Sequence, residues 1–370
     1  MKIMPASESR SPARRWLASG GALRPIALLA YMALPSLLPV CTRAQSDLSS
    51  RLPAAWNITI VLPPRVVAGR PATLAVFGAD GKLAADVNVD LDGIQRVQTN
   101  QTGRAYFVAP ARSSVLIAYA AGASAAALVD AAVPSDHSAP LHVEPVVSVH
   151  DAFPICGALW RGDADANHAK INGEPALILA ASPECLVVLP PPNAVPGPAR
   201  ISLDAPGVQV TAVTTFVSLD FLQPSPPLIP KRKSALPVRV RGSGQPLHIV
   251  VTNETPGILR FARGDEQESL TSGGVDNLAE ISVTALRSGD FSFRARILPA
   301  PDLPAAQRFL AAALPLSSRD LRSEIKDLGK RLARHPRDSE KIRAQLNWIA
   351  SQTMEGNFRA LLVAASRALG

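Results

Sequence analysis

The residues best spaced for chemistry lie in one loop. Asp163-x-Asp165-x-Asn167, with Glu174 in the twelfth place from Asp163, is the ligand pattern of a calcium loop, in which alternate oxygens and a final carboxylate surround the ion. Two departures weigh against calcium. His168 stands in the sixth place, where the sharp turn needs Gly, and Asn172-Gly173 with Pro175 reads as a strand hairpin, not as the start of a helix. A surface turn explains the same residues, so no metal site is assigned. Arg263-Gly264-Asp265 matches the integrin-binding tripeptide, but three residues match by chance. Asn57, Asn100 and Asn253 begin glycosylation sequons, meaningful only in a eukaryotic host. His137, His142 and His150 fall in a linker without metal-ligand spacing.

Nucleophile and nucleotide motifs are missing from the sequence: it has no G-x-S-x-G, H-E-x-x-H, P-loop or dinucleotide fingerprint. No catalytic residue and no cofactor is therefore assigned. Paired carboxylates on separate loops need no local motif, which keeps an exported hydrolase, or an accessory carbohydrate-binding component of one, as the alternative.

The cysteines belong to a question of compartment. Lys2, Arg10, Arg14, Arg15 and Arg24 precede an apolar run from Pro25 to Cys41, and Thr42-Arg43-Ala44 follows with small residues at the outer positions. Basic, apolar and small-residue regions in that order form a secretory signal, with cleavage at Ala44. A retained anchor is the other reading, but Pro35 and Pro39 make the run a poor span. Cleavage leaves Cys156 and Cys185, an even count suited to an oxidising compartment. They are expected to form a disulfide; two buried free thiols are the alternative.

The elements that must position these residues come next. The chain has 370 residues, which suggests two or three domains. Its 47% hydrophobic content suffices for packed cores, and 34 prolines, close to twice the usual share of about 5%, point to many short punctuated elements. The net charge of +8 is scattered. Its one tight cluster, Lys231-Arg232-Lys233, follows the linker-like Pro224-Ser225-Pro226-Pro227 and lacks interleaved aromatics, so nucleic acid is not an expected partner. Between Ile58 and Val133 short β-like runs recur every 8–12 residues, the spacing of a sandwich. Asn172-Gly173 marks a hairpin, Cys185–Leu189 a central strand that Pro190 must end, and Trp160 a core side chain. Phe291–Ile297 alternates with period two. After Pro299-Ala300-Pro301 the period changes: Leu321, Ile325, Leu328 and Leu332 form one helical stripe, Ile342, Leu346 and Ile349 a second, and Phe358, Leu361, Leu362, Ala365 and Leu369 a third.

Two resemblances sharpen this reading. Thr99-Asn100-Gln101-Thr102-Gly103-Arg104-Ala105-Tyr106-Phe107 is similar to the hairpin of bacterial immunoglobulin-like and carboxypeptidase-regulatory-like modules. The stretch from Ile155-Cys156-Gly157 through Asn172-Gly173 to Cys185–Leu189 and Pro190 resembles an IPT/TIG domain, the immunoglobulin-like module of plexins, transcription factors and bacterial surface proteins. Cys156 and Trp160 depart from that pattern. The expected architecture is mainly β, with tandem immunoglobulin-like β-sandwiches followed by a C-terminal α-helical segment. Its parts are a leader at 1–44, modules at 52–133, 143–220 and 228–299 joined by Pro-rich linkers, and a separable helical tail at 303–370 with an excess of basic residues. The expected function is non-catalytic binding or scaffolding at the cell envelope. The expected partner is a protein or carbohydrate, and no transmembrane span is expected after leader cleavage.

Overall fold

The computed structural model describes residues 58–370 apart from 132–140, 158–159, 206–207, 223–227, 263, 265–266 and 275. The leader, Ala44, Asn57, His137, Arg263 and Asp265 lie outside the described residues.

The first module runs through β1 (Thr59–Val61), β2 (Arg65–Val67), β3 (Pro71–Phe77), β4 (Asn88–Leu91), β5 (Gln95–Gln98), β6 (Arg104–Val108), β7 (Val115–Ala120) and β8 (Ala123–Asp130). Pro63-Pro64 cannot continue a ladder, so the first strand is split between two sheets. β1 pairs antiparallel with β3, whereas β2 crosses over and pairs parallel with β8. The sheet β1–β3–β6 thus faces β2–β8–β7–β4–β5, with Leu74, Val76 and Phe107 packed against Leu116, Ala118 and Ala127. The Thr99–Phe107 hairpin is held from within. Thr99 Oγ1 donates to the Ala84 carbonyl (2.7 Å) and accepts from Val87 N–H (2.9 Å), and Asn100 Oδ1 accepts from the N–H groups of Thr102 and Arg104.

The second module repeats the plan with β9 (His142–Val143), β10 (Val146–Ser148), β11 (Phe153–Cys156), β12 (His168–Ile171), β13 (Glu174–Ala181), β14 (Cys185–Leu189), β15 (Gly197–Ala205) and β16 (Val208–Phe221). Here β9 joins β11 in one sheet and β10 pairs parallel with β16 in the other. β13 serves both sheets, its start pairing with β12 and its end with β14. Asn172 and Gly173, at φ 51° and 91°, make the turn between β12 and β13. Trp160 is buried in the core with Ile155, Ile201, Leu203 and Phe216.

The third module adds β17 (Lys233–Arg241), β18 (His248–Asn253), β19 (Leu259–Phe261), β20 (Gln267–Thr271), β21 (Leu278–Ala285) and β22 (Phe293–Ile297). Its sheet β20–β18–β22 faces a sheet built from β17, β21, β19 and the last residues of β16. The expected break between modules at 220 and 228 is therefore corrected. Val208–Val217 belongs to the second sandwich, while Ser218–Phe221 of the same strand pairs with β17. At 14 residues, about 46 Å long, β16 outruns the depth of one sandwich and enters the next.

The chain closes with α1 (Leu303–Ala313), α2 (Arg319–Arg334), α3 (Ser339–Gln352) and α4 (Gly356–Ala368). Asp302 and Ser318 cap α1 and α2, and α2 stops before His335-Pro336. The expectation of a separable tail is corrected too. Ile325, Leu328, Leu346, Leu361 and Leu362 share one core with Val115, Ile117 and Leu128, the outward side chains of β7 and β8. The reason is visible in Val115–Ala120, where both alternating sets of side chains are apolar, so the outer face of that sheet also needs a cover. The chain is thus mainly β, with tandem immunoglobulin-like β-sandwiches followed by a C-terminal α-helical segment that packs back onto the first of them.

No spacer separates the first two modules at their contact. Thr73 on β3 meets Ala181 on β13, and Thr73 Oγ1 donates to the Gly162 carbonyl at 2.6 Å. A Cβ at Gly162 would fall 2.0 Å from the Pro71 carbonyl oxygen. Gly162→Ala is therefore expected to wedge the modules apart and lower stability by about 1–2 kcal/mol. A urea titration of wild type and variant checks this, and an unchanged midpoint would show that the contact adds nothing.

A candidate binding cleft at a three-module junction

The bends that join the modules bring ionic groups together from distant parts of the chain. Arg65 opens β2, Asp130 closes β8, Glu184 sits in the turn between β13 and β14, Asp302 caps α1 and Arg308 lies midway along it. Arg65 reaches Asp130 (3.4 Å), Glu184 (3.8 Å) and Asp302 (3.6 Å). Arg308 donates to Asp130 at 2.5 Å and to the Val129 carbonyl at 2.7 Å. Ser182 locks the turn by donating to the Arg65 carbonyl (2.6 Å) and accepting from Cys185 N–H (3.0 Å).

Three carboxylates against two guanidinium groups leave one negative charge in excess, and Glu184 absorbs it. Burial, then the charge of Asp130 and a hydrogen bond shared with it, raise the Glu184 carboxyl to about 7, against the pull of Arg65 and Arg308. Glu184 Oε2 is buried without a hydrogen-bond partner among the described residues, and protonation lets the Glu184 carboxyl donate to Asp130.

Beside this cluster opens a cleft of about 740 Å³, within the size range of ligand sites. Ala125, Ala126 and Leu128 of β8 form one wall, Pro154 and Cys156 of β11 a second, and Val363, Ala364 and Ala368 of α4 a third. Pro299–Pro301 also lines the cleft, and Arg65, Glu144, Glu184, Asp302 and Arg367 bring charge to the lining. The cleft is an apolar slot with a polar margin.

The residues singled out by spacing are distributed otherwise. Cys156 and Cys185 are directly opposed on β11 and β14 and bonded to each other, with Cys156 on the cleft wall. Asp163 caps a short turn by accepting from Asp165 N–H, and Asp165 pairs with Arg104 of the first module. Asn167 spends its amide on the carbonyls of Arg161 (2.9 Å) and Asp163 (2.7 Å). Glu174 stands exposed beyond the hairpin, so the four do not converge on an ion. Asn253 is buried and donates to the Leu259 carbonyl at 2.7 Å, which removes the nitrogen that a glycan would need. Arg65, Asp130, Glu184, Asp302 and Arg308 escape a reading by motif because no local spacing relates them.

No family model matches the chain, and no curated protein matches it. Among solved structures, the plexin A4 full extracellular region is similar at 12% identity over 69% of this chain and 24% of that one, with a TM-score of 0.25. The Bacteroides ovatus mixed-linkage glucan utilization locus protein SGBP-B, in complex with a mixed-linkage heptasaccharide, is similar at 11% identity over 64% of this chain and 65% of that one, TM-score 0.23. Invasin, a bacterial integrin-binding protein, is similar at 13% identity over 65% of this chain and 57% of that one, TM-score 0.17. The chain spans about a quarter of the plexin region and less than two thirds of the other two. Likenesses this distant carry no weight for binding or activity, and the fold assignment rests on the strand pairing.

Proposed function

We propose that the protein is a non-catalytic, exported binding or scaffold protein of the cell envelope, with a second module of the IPT/TIG kind. The observation that carries this reading is the junction cleft, whose walls come from the first sandwich, the second sandwich and the terminal helices at once. Only the assembled chain contains it. The amino-terminal layout and the Cys156–Cys185 bond support export. No helix among the described residues is long and apolar enough to cross a membrane. Alanine and proline dominate the walls, and the lining phenylalanine, Phe309, is buried. With no exposed aromatic face for a sugar ring, the slot suits an apolar protein segment better than a carbohydrate.

The competing reading is a hydrolase using Glu184, a carboxyl raised to about 7 on the cleft margin. Immobilised protein and an Ala364→Arg variant should be tested against envelope proteins and a glycan array, beside glycosidase and esterase screens. The expected result is a retained protein partner, lost in the variant, and no turnover. Turnover abolished by Glu184→Gln would overturn the proposal, as would glycan capture unaffected by the cleft variant.

A further inference from the structure

We infer that the free edge of β16 from Gln209 to Val213 is a docking strand for an extended, uncharged, apolar peptide segment of another protein, which adds to the second sandwich as an extra strand. This surface is separate from the cleft.

The direction of the backbone groups follows from the register. Arg200 of β15 accepts from Asn172 N–H and donates its own N–H to Asn172 Oδ1, both at 2.8 Å, so its polar groups face away from β16. Its partner Val213 must then turn its N–H and C=O away from β15, and the alternation of an antiparallel ladder gives Thr211 and Gln209 the same direction. Thr215 is in phase with them and donates outward to the Pro145 carbonyl at 2.9 Å. β10 covers only Thr215–Val217 on that side. Among the described residues nothing pairs with the outward groups of Gln209, Thr211 and Val213. A groove of about 410 Å³ runs along this edge, lined by Leu141, Val143 and Val210–Val213, and Val213 itself is 73% exposed.

The other edge strands are protected. β1, β2, β9, β10 and β19 have three residues or fewer, while β5, β6, β20 and β22 carry Arg96, Arg104, Glu268 and Arg294. Shortness and charge are the usual guards against pairing with a further strand. In the first module the matching edge beside the last strand, Ala123–Ala127 of β8, lies next to the chain's own helix α4. Val208–Thr215 has neither charge nor proline, and its residues favour strands.

These features select the occupant. A row of outward N–H and C=O groups, repeating every two residues or about 6.8 Å, is complementary to extended backbone. The groove has no charged lining to pair with a charged segment. The edge is only about 17 Å long, so a symmetric pair of copies joined through it would bury far less than the roughly 1,200 Å² of stable dimers. A second copy is therefore not the occupant.

The test uses the full chain and a fluorescent peptide of alternating valine and threonine with one lysine at each end. Thr211→Pro removes one outward donor without touching the ladder to β15, and Val213→Lys places charge on an exposed position. Either change should weaken peptide binding roughly ten-fold, while circular dichroism and the melting temperature stay near wild type. Amide exchange at Gln209, Thr211 and Val213 should slow when the peptide is added. Absence of binding, or binding that both folded variants retain, overturns the inference. A wild-type dimer in light scattering that Val213→Lys converts to a monomer also overturns it, because the occupant is then a second copy.

Discussion

Reduction of the Cys156–Cys185 bond is expected to lower the free energy of unfolding by about 3–4 kcal/mol. The two residues face each other on neighbouring strands, β11 and β14, and are 29 positions apart in sequence. The bond therefore closes a loop containing β12, β13 and the turn that touches Thr73. Most of the effect lies in the unfolded chain, which loses the freedom to separate those ends. Denaturant titrations with and without reductant measure it, and the double variant Cys156→Ser, Cys185→Ala should reproduce the reduced midpoint. Two alkylatable thiols in the native oxidised protein, or a midpoint indifferent to reductant, would refute the expectation.

The second large effect is one of pH. Glu184 is raised to about 7 when folded, against 4.5 for an ordinary glutamate. Below pH 4.5 it is protonated in both states and contributes no difference. Between about 4.5 and 7 the unfolded chain gives up this proton while the folded chain keeps it, so stability falls as pH rises and levels off above 7. With allowance for the partial exposure of the cluster, the loss is about 2 kcal/mol. The groups facing Glu184 across the junction are Arg65 on β2, Asp130 on β8, and Arg308 on α1. Glu184→Gln keeps a donor toward Asp130 without needing a proton. The variant should match wild type at pH 4.5 and exceed it at pH 8; equal slopes in urea titrations between those values would contradict this assignment.

What could be read from the chain before folding was local. Asn172-Gly173 announces its hairpin because two positive φ angles are needed within two residues, and Pro190 ends β14 because it has no N–H to share. The helical stripes at 321–332 and 342–349 are legible for the same reason, since one turn of helix is only a few residues. The docking of those helices onto β7 had a signal in the unbroken apolar run Val115–Ala120, which a strand wet on one face would not carry. The junction cluster had none: Arg65 and Arg308 meet at Asp130 only after the terminal helices pack back onto the first sandwich. The calcium spacing was a true pattern with a local use, because Asp165 and Asn167 are taken by Arg104 and by the loop's own carbonyls.

The strand shared by the second and third sandwiches has a consequence for inheritance. A module bounded by linkers can be copied, lost or exchanged whole. Here any cut between Val208 and Phe221 removes the final strand of one sandwich or a pairing strand of the other. Recombination that moves either sandwich alone leaves both incomplete, so the pair is the smallest transferable unit, and insertions should accumulate at the turns of each sandwich and not at the border between them.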